Sequence, residues 1–370
     1  MNDIFHVSSN APQLWQSVIF AWTFWTGLSL GAFGLMLLHN TVKGRFGFVP
    51  LRVWEAAAAV LPLMAAIFVA ALFLGMFDLY PWHNPSLLSI SHPDPILEHR
   101  LPYLNQSFFV VRTVAFFLFC IVGIFVLRGS SLRQDRTRDA RLTERRANFA
   151  APWGVLYFLM LTMASTDFFM SLDPHYYSTI FPVMQLINWC LGMSAFAALY
   201  VARNYGKEPY TPQVVTRKTM NDLGNMMLLF TMFWAYFNLS QFLIQWCANQ
   251  PQEIAYYYVR TTGLYRPLSV FILVGQFFVP FTLLLSGRTK KTPGYLGATA
   301  IFILLVRVCD TFWMIMPMFR RDLTVTGLDV LCFAGFGIVW YGAFRLILSA
   351  RPLLPQWAPA PALKEAVEHA

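Results

Sequence analysis

The sequence predicts an all-α fold, a polytopic transmembrane helix bundle of about nine spans with the N-terminus outside and the C-terminus in the cytoplasm. Three observations carry this prediction. Of the 370 residues 57% are hydrophobic and only 12% charged, with a mean hydropathy of +0.52, a balance that excludes an ordinary soluble domain. Stretches of about 20 apolar residues, enough to cross a bilayer as a helix, recur at 14–38, 53–75, 105–127, 149–172, 179–202, 223–248, 267–286, 294–319 and 327–349. Basic residues also alternate between loops. One side holds Lys43, Arg45 and Arg52, the seven Arg between 128 and 146, and the Lys and Arg of 203–218, 288–291 and 345–364. The other side keeps Arg100, Arg260, Arg266, Arg320 and Arg321. The richer side is assigned to the cytoplasm. The formal charge of +9 is therefore a topology signal, and no nucleic-acid partner is expected.

The opening MNDIFHVSSNAPQ lacks the basic region of a signal peptide, and 14–38 is too long for its apolar core, so it reads as a first span. Within it, Gly27, Gly31 and Gly34 form a small-residue stripe suited to close helix contact. Pro62 in the second segment and Pro280 in the seventh predict kinks. Such kinks border cavities in transporters and also occur in ordinary membrane helices. The outer stretch 76–104 holds five prolines and three histidines, so it reads as turn and coil that covers the bundle or touches a partner. The irregular spacing of His83, His92 and His99 suits solvent-exposed polar residues better than a metal site.

The inner stretch 128–148 sets seven Arg against three acids. It reads as a topology determinant with self-paired charges, or as a dock for anionic lipid or a cytoplasmic subunit. Cys120, Cys190, Cys247, Cys309 and Cys332 all lie in apolar segments without a CxxC pair. Five buried, reduced thiols are expected, with neither a disulfide framework nor a zinc or iron-sulfur site. Residues 1–351 form a single bundle, and the Pro/Ala-rich 352–370 a cytoplasmic tail.

Chemistry is sought where lipid tolerates charge least. Arg112, Asp167, Arg307 and Asp310 lie inside apolar segments, where each unpaired charge opposes insertion by roughly 2.5–3.5 kcal/mol. Arg307 and Asp310 stand three residues apart, on one helix face, and form a prospective ion pair. Such a pair either fixes packing or, by exchange of partners, gates protons. Asp167 lies near the outer boundary, with Arg112 at similar depth as its prospective structural counter-ion. Glu55 and His39 stand at the inner boundary, as interfacial residues or as a proton entry. On the sixth segment Tyr236, Asn238, Ser240, Gln241 and Gln245 can bridge gaps through water. His39 is the only histidine in or beside a span, so bis-histidine haem ligation cannot be built from this chain alone. No P-loop, GxGxxG, thiolate cluster or nucleophile elbow is present. The chain by itself offers no metal site, redox centre or hydrolytic site.

The stretch TDFFMSLDPHYYSTIFP at 166–182 resembles a segment of the quinol-dehydrogenase membrane subunits of alternative complex III, in the NrfD/polysulfide-reductase-like family. FTMFWAYFNLSQFLIQWCANQPQE (230–253), FFVPFTLLLSGRTKK (277–291) and LLVRVCDTFWMIMP (304–317) match in the same order. The first three segments and the ninth match only in hydropathy. Short loops make the chain look more like the second of the two such subunits, the ActF-like one. The resemblance implies a bacterial inner-membrane complex that oxidises menaquinol or ubiquinol. Electrons pass through iron-sulfur and multihaem cytochrome c subunits to cytochrome c or a terminal oxidase. It further implies a sister NrfD-like subunit, small membrane subunits and lipids as partners. The motif positions here are Asp167, Asp173, His175, Tyr236, Ser240, Gln241, Arg307 and Asp310. Such subunits usually have ten helices, one more than the apolar segments found, so a leading helix is expected to be missing or contributed by a neighbour.

The resulting expectation is a proton-conducting subunit of a quinol:electron-acceptor oxidoreductase. Asp310 with Arg307 is the switch, Asp167 the outer relay, Glu55 and His39 the inner entry, and Tyr236, Ser240 and Gln241 the bridging groups. The competing expectation is a quinol-binding subunit, with His175, Asp173, Tyr236 or Gln241 at the quinol hydroxyls. A stand-alone secondary transporter would purify without haem-bearing subunits. A scaffold with neutral buried pairs would tolerate loss of each charge.

Overall fold

Long apolar runs bounded by Pro, Asn, Thr and Gly are built as helices because a backbone in hydrocarbon must satisfy its own hydrogen bonds. The computed structural model describes residues 12–83, 99–173, 176–248 and 251–357, with side chains from 254 in the last stretch. Among these residues nine helical spans are long and apolar enough to cross a membrane, and none forms a strand. They comprise α1 (Gln13–Val42), α2 (Leu51–Ala58) with α3 (Leu61–Phe73), α4 (Gln106–Thr137), α5 (Arg141–Phe168), α6 (Phe181–Asn204) and α7 (Arg217–Ala248). A short α8 (Pro251–Thr261) follows, then α9 (Tyr265–Leu273), α10 (Val279–Leu285), the basic turn α11 (Gly287–Lys291), α12 (Pro293–Ile315) and α13 (Gly327–Ser349).

The two proline positions show how kinks are built. Helix α2 stops at Ala58, and Pro62 lies in the first turn of α3, where its missing N–H costs no hydrogen bond. Pro280 likewise opens α10, directly after a π turn at Val274–Phe278. Pro152, inside α5, is a third such position that the sequence reading passed over. The inner stretch 128–148 is not the expected loop. Both α4 and α5 run on into it, leaving a turn at Arg138–Ala140 with Arg138 in the left-handed region at φ 53°. Arg, Gln and Leu propagate a helix into water as readily as in lipid, so hydropathy alone ends these helices too early.

Helix α1 is the axis, with 78% of its most apolar stretch buried against 17% for α13 at the periphery. It packs on α5, α6, α13 and α2, and α6 in turn packs on α12 and α7. The glycine stripe permits this. A Cβ on Gly31 would lie 2.2 Å from the Trp189 carbonyl oxygen of α6, closer than any two such atoms approach. Aromatic polar handles then tie α1 to its neighbours. Tyr157 donates to the Leu30 carbonyl at 3.1 Å, Trp340 to the Ser29 hydroxyl at 2.9 Å and Trp25 to the Phe333 carbonyl at 3.0 Å. Trp22 stacks on Phe68, with centroids 4.1 Å apart. Two helix groups therefore flank α1: α2 to α5 on one side, α6, α7, α9, α10 and α12 on the other.

Not every thiol is buried. Cys120 and Cys190 are, but Cys247 is exposed at the end of α7 and Cys309 and Cys332 are half-buried, because each sits on a helix face turned from the core.

Candidate functional site

On α12 one helical turn brings two buried charges, Arg307 and Asp310, onto the same face. They form a buried ion pair. Helix α6 completes its coordination: Nη1 of Arg307 also donates to Oδ1 of Asn188 at 3.0 Å, and Asn188 Nδ2 donates to Oε1 of Gln185 at 3.3 Å. Thr311 donates to the Arg307 carbonyl at 2.9 Å, which stiffens that turn. Trp234 of α7 borders the Asp310 carboxylate. Two turns further along α7, Gln241 is buried on the same face and Ser240 is half-buried. Tyr236, at 65% exposure, faces outward and is not brought to Asp310.

Asp167 is brought to Arg112 rather than to Asp310. The contact is bidentate, Nε to Oδ2 at 2.7 Å and Nη2 to Oδ1 at 2.9 Å. The third arginine nitrogen donates to the Tyr103 carbonyl at 3.0 Å. The guanidinium carbon lies 3.9 Å from the centroid of the Tyr103 ring and 4.1 Å from that of Phe108. Burial raises the Tyr103 phenol above its usual pKa and the Asp167 charge adds to this, so it remains protonated. The pair joins α4 to α5, in the helix group opposite the one that holds Asp310.

Above Asp310, the sequence reading missed a second arginine. Arg260 of α8 is buried, stacks on Tyr256 at 3.5 Å, and donates to the carbonyls of Tyr256 and Met314, both at 2.8 Å. Met314 follows Asp310 by one turn, so Arg260 caps the face that carries the ion pair. Tyr256 stacks in turn on Tyr176, with centroids 3.9 Å apart. Burial raises the Tyr256 phenol; Arg260 opposes that, and the charges of Asp310 and Asp173 reinforce it. Tyr256 thus feels both carboxylates. The hydroxyl of Tyr257 is enclosed without a protein partner, and those of Tyr176 and Ser178 are enclosed next to each other. His175 lies outside the described residues.

At the basic end, Glu55 does not stand alone. Arg52 pairs with Glu55 and with Asp135 of α4, and donates to Ser131 at 3.2 Å. His39 lies edge-on to Phe46 and Trp54, with Nδ1 enclosed, without a partner and against Gly47. His39 lines a cleft of about 810 Å³ at this end, whereas Glu55 does not reach it. Periodicity could have flagged Arg52, three residues before Glu55; nothing local in sequence marks Asp135 as its partner.

A further ion pair closes the opposite end. Arg320 holds Asp329 at 2.7 and 3.1 Å, Ser17 of α1 donates to Asp329 at 2.5 Å, and Thr326 and Asp329 form a capping box that starts α13. This strap ties α1, α12 and α13. Among the described residues no group of three metal-binding side chains occurs. No protein-family model matches the chain, and a search of curated proteins returned no match.

Proposed function

We propose that the chain is an integral inner-membrane subunit of a bacterial quinol-oxidising electron-transfer complex, and that its own role is to conduct protons. The observation that carries the reading is the buried Arg307–Asp310 pair with Asn188 as a second acceptor on the same guanidinium. A carboxylate held this way can take up a proton without stranding its arginine, because Arg307 keeps the amide oxygen. A charge that can be neutralised in place is what a gated proton path requires at mid-membrane depth. The resemblance of 166–182, 230–253, 277–291 and 304–317 to alternative complex III membrane subunits supports the same reading. Haem and iron-sulfur groups then belong to partner subunits, and menaquinol or ubiquinol is the reductant.

In this path Glu55, with Arg52 and Asp135, receives protons at the basic end, with His39 beside it. Asp310 is the switch, and Gln185, Asn188 and Gln241 extend its polar surroundings. On the far side the route continues toward Tyr256 and Asp173. Asp167, clamped on both oxygens by Arg112, acts as a structural partner. Asp310→Asn in the intact complex, reconstituted in vesicles and driven by quinol, is expected to abolish proton translocation while most electron transfer persists. An unchanged proton-to-electron ratio would overturn the reading.

A quinol-binding role is favoured by one observation, the cluster of enclosed hydroxyls of Tyr176, Tyr257 and Ser178 close to Asp173. Loss of quinol oxidation in Tyr176→Phe, with assembly and the proton-to-electron ratio of residual turnover intact, would move the assignment there.

A further inference from the structure

The basic end of the bundle contains a cleft of about 810 Å³, within the size range of small-ligand sites. It lies between the end of α1, the Arg45–Gly47 turn, the end of α4 and the starts of α5 and α7. Its most telling wall residue is Arg146. Nε of Arg146 donates to Asn40 at 3.1 Å and Nη2 to Gln134 at 2.5 Å, so two neutral side chains hold the guanidinium in place. Nη1 is enclosed and has no acceptor. Among the described residues, no carboxylate pairs with it. The other arginines here differ: Arg52 is matched by Glu55 and Asp135, and Arg45 by Asp222. Two of the three acids bordering the cleft are thereby engaged, leaving Glu144 against Lys43 and Arg146. Phe46, Phe48, Leu51 and Trp357 give the cleft an apolar wall.

We infer that this cleft binds the phosphate of an anionic phospholipid headgroup. A pinned arginine with an unused N–H meets phosphate oxygens by charge-assisted hydrogen bonds. The excess positive charge selects an anion, and the apolar wall accepts the glycerol and upper acyl carbons. The position at the helix ends is the depth at which lipid phosphates lie, and basic pockets between helices there bind acidic lipids. The inference is independent of the electron-transfer reading, since none of its residues needs a redox partner.

The test uses the full chain in mild detergent, titrated in native mass spectrometry with phosphatidylglycerol, phosphatidylcholine of the same acyl chains, or inorganic phosphate. Phosphatidylglycerol is expected to be retained in preference to phosphatidylcholine, and Arg146→Gln to lower that retention about tenfold, the loss of one charge-assisted bond. If Arg146→Gln does not fold, Lys43→Gln, at an exposed position, is expected to lower retention in the same direction. Equal retention of the two lipids, unchanged retention in the folded variant, or displacement of phosphatidylglycerol by equimolar inorganic phosphate would each overturn the assignment.

Discussion

Nη1 of Arg307 serves two acceptors, the Asp310 carboxylate on its own helix and the Asn188 amide oxygen of α6 at 3.0 Å. Charge and packing are therefore coupled at this point. Asn188→Ala removes the second acceptor and one link between α6 and α12, and is expected to destabilise the fold by about 1–3 kcal/mol. Its effect should not add to that of Asp310→Asn. Melting temperatures of the two single variants and the double variant measure the coupling, expected to exceed about 0.5 kcal/mol. Additive losses would mean that Asn188 and Asp310 act separately.

The Arg112–Asp167 contact makes a different prediction because all its main groups are satisfied within the pair and Tyr103. Arg112→Gln or Asp167→Asn leaves one member unmatched and is expected to cost about 3–5 kcal/mol, whereas the double change costs less than the sum. On the proposed reading, Asp167→Asn is expected to retain the proton-to-electron ratio of the complex. A lost ratio at an unchanged melting temperature would return Asp167 to the proton route.

The spans were legible because apolar length is a one-dimensional property, and the α13 boundaries agree with hydropathy at both ends. Arg307–Asp310 was legible for the same reason: a spacing of three fixes a shared helix face whatever the tertiary fold. Arg112–Asp167 needed only the expectation that two charges at one depth find each other. Arg52–Asp135 and Arg260–Met314 were not legible, since each joins helices whose adjacency is set by packing rather than by spacing, and Arg320–Asp329 depends on how the connection before α13 folds back. The outward turn of Tyr236 was hidden likewise. Helix α7 is apolar around most of its circumference, so periodicity does not reveal which face meets α6.

The glycine stripe predicts an order of severity. A Cβ on Gly31 meets the Trp189 carbonyl oxygen at 2.2 Å and its carbon at 2.4 Å, backbone atoms that move only if α1 and α6 separate. A Cβ on Gly34 meets the Cys190 sulfur at 3.2 Å and Leu186 at 3.3 Å, side chains that can shift. Gly31→Ala is expected to destabilise by about 3 kcal/mol and Gly34→Ala by about 1 kcal/mol. Thermal melting in detergent checks this, and the reverse order would contradict the α1–α6 contact.

Gln276 lies in the π turn that precedes Pro280 and is fully buried, with neither its amide nitrogen nor its oxygen hydrogen-bonded within the protein. An enclosed amide without partners costs about 1–3 kcal/mol on protein scales, and π turns concentrate at functional positions. Gln276→Leu, close in volume, removes that cost and is expected to raise the melting temperature of the isolated chain. If the amide orders water within the helix group of Asp310, the same change lowers proton-coupled turnover of the complex. Stability raised and coupling reduced together would mark Gln276 as a polar group kept at the expense of stability. A higher melting temperature with unchanged coupling would separate it from the proposed proton path.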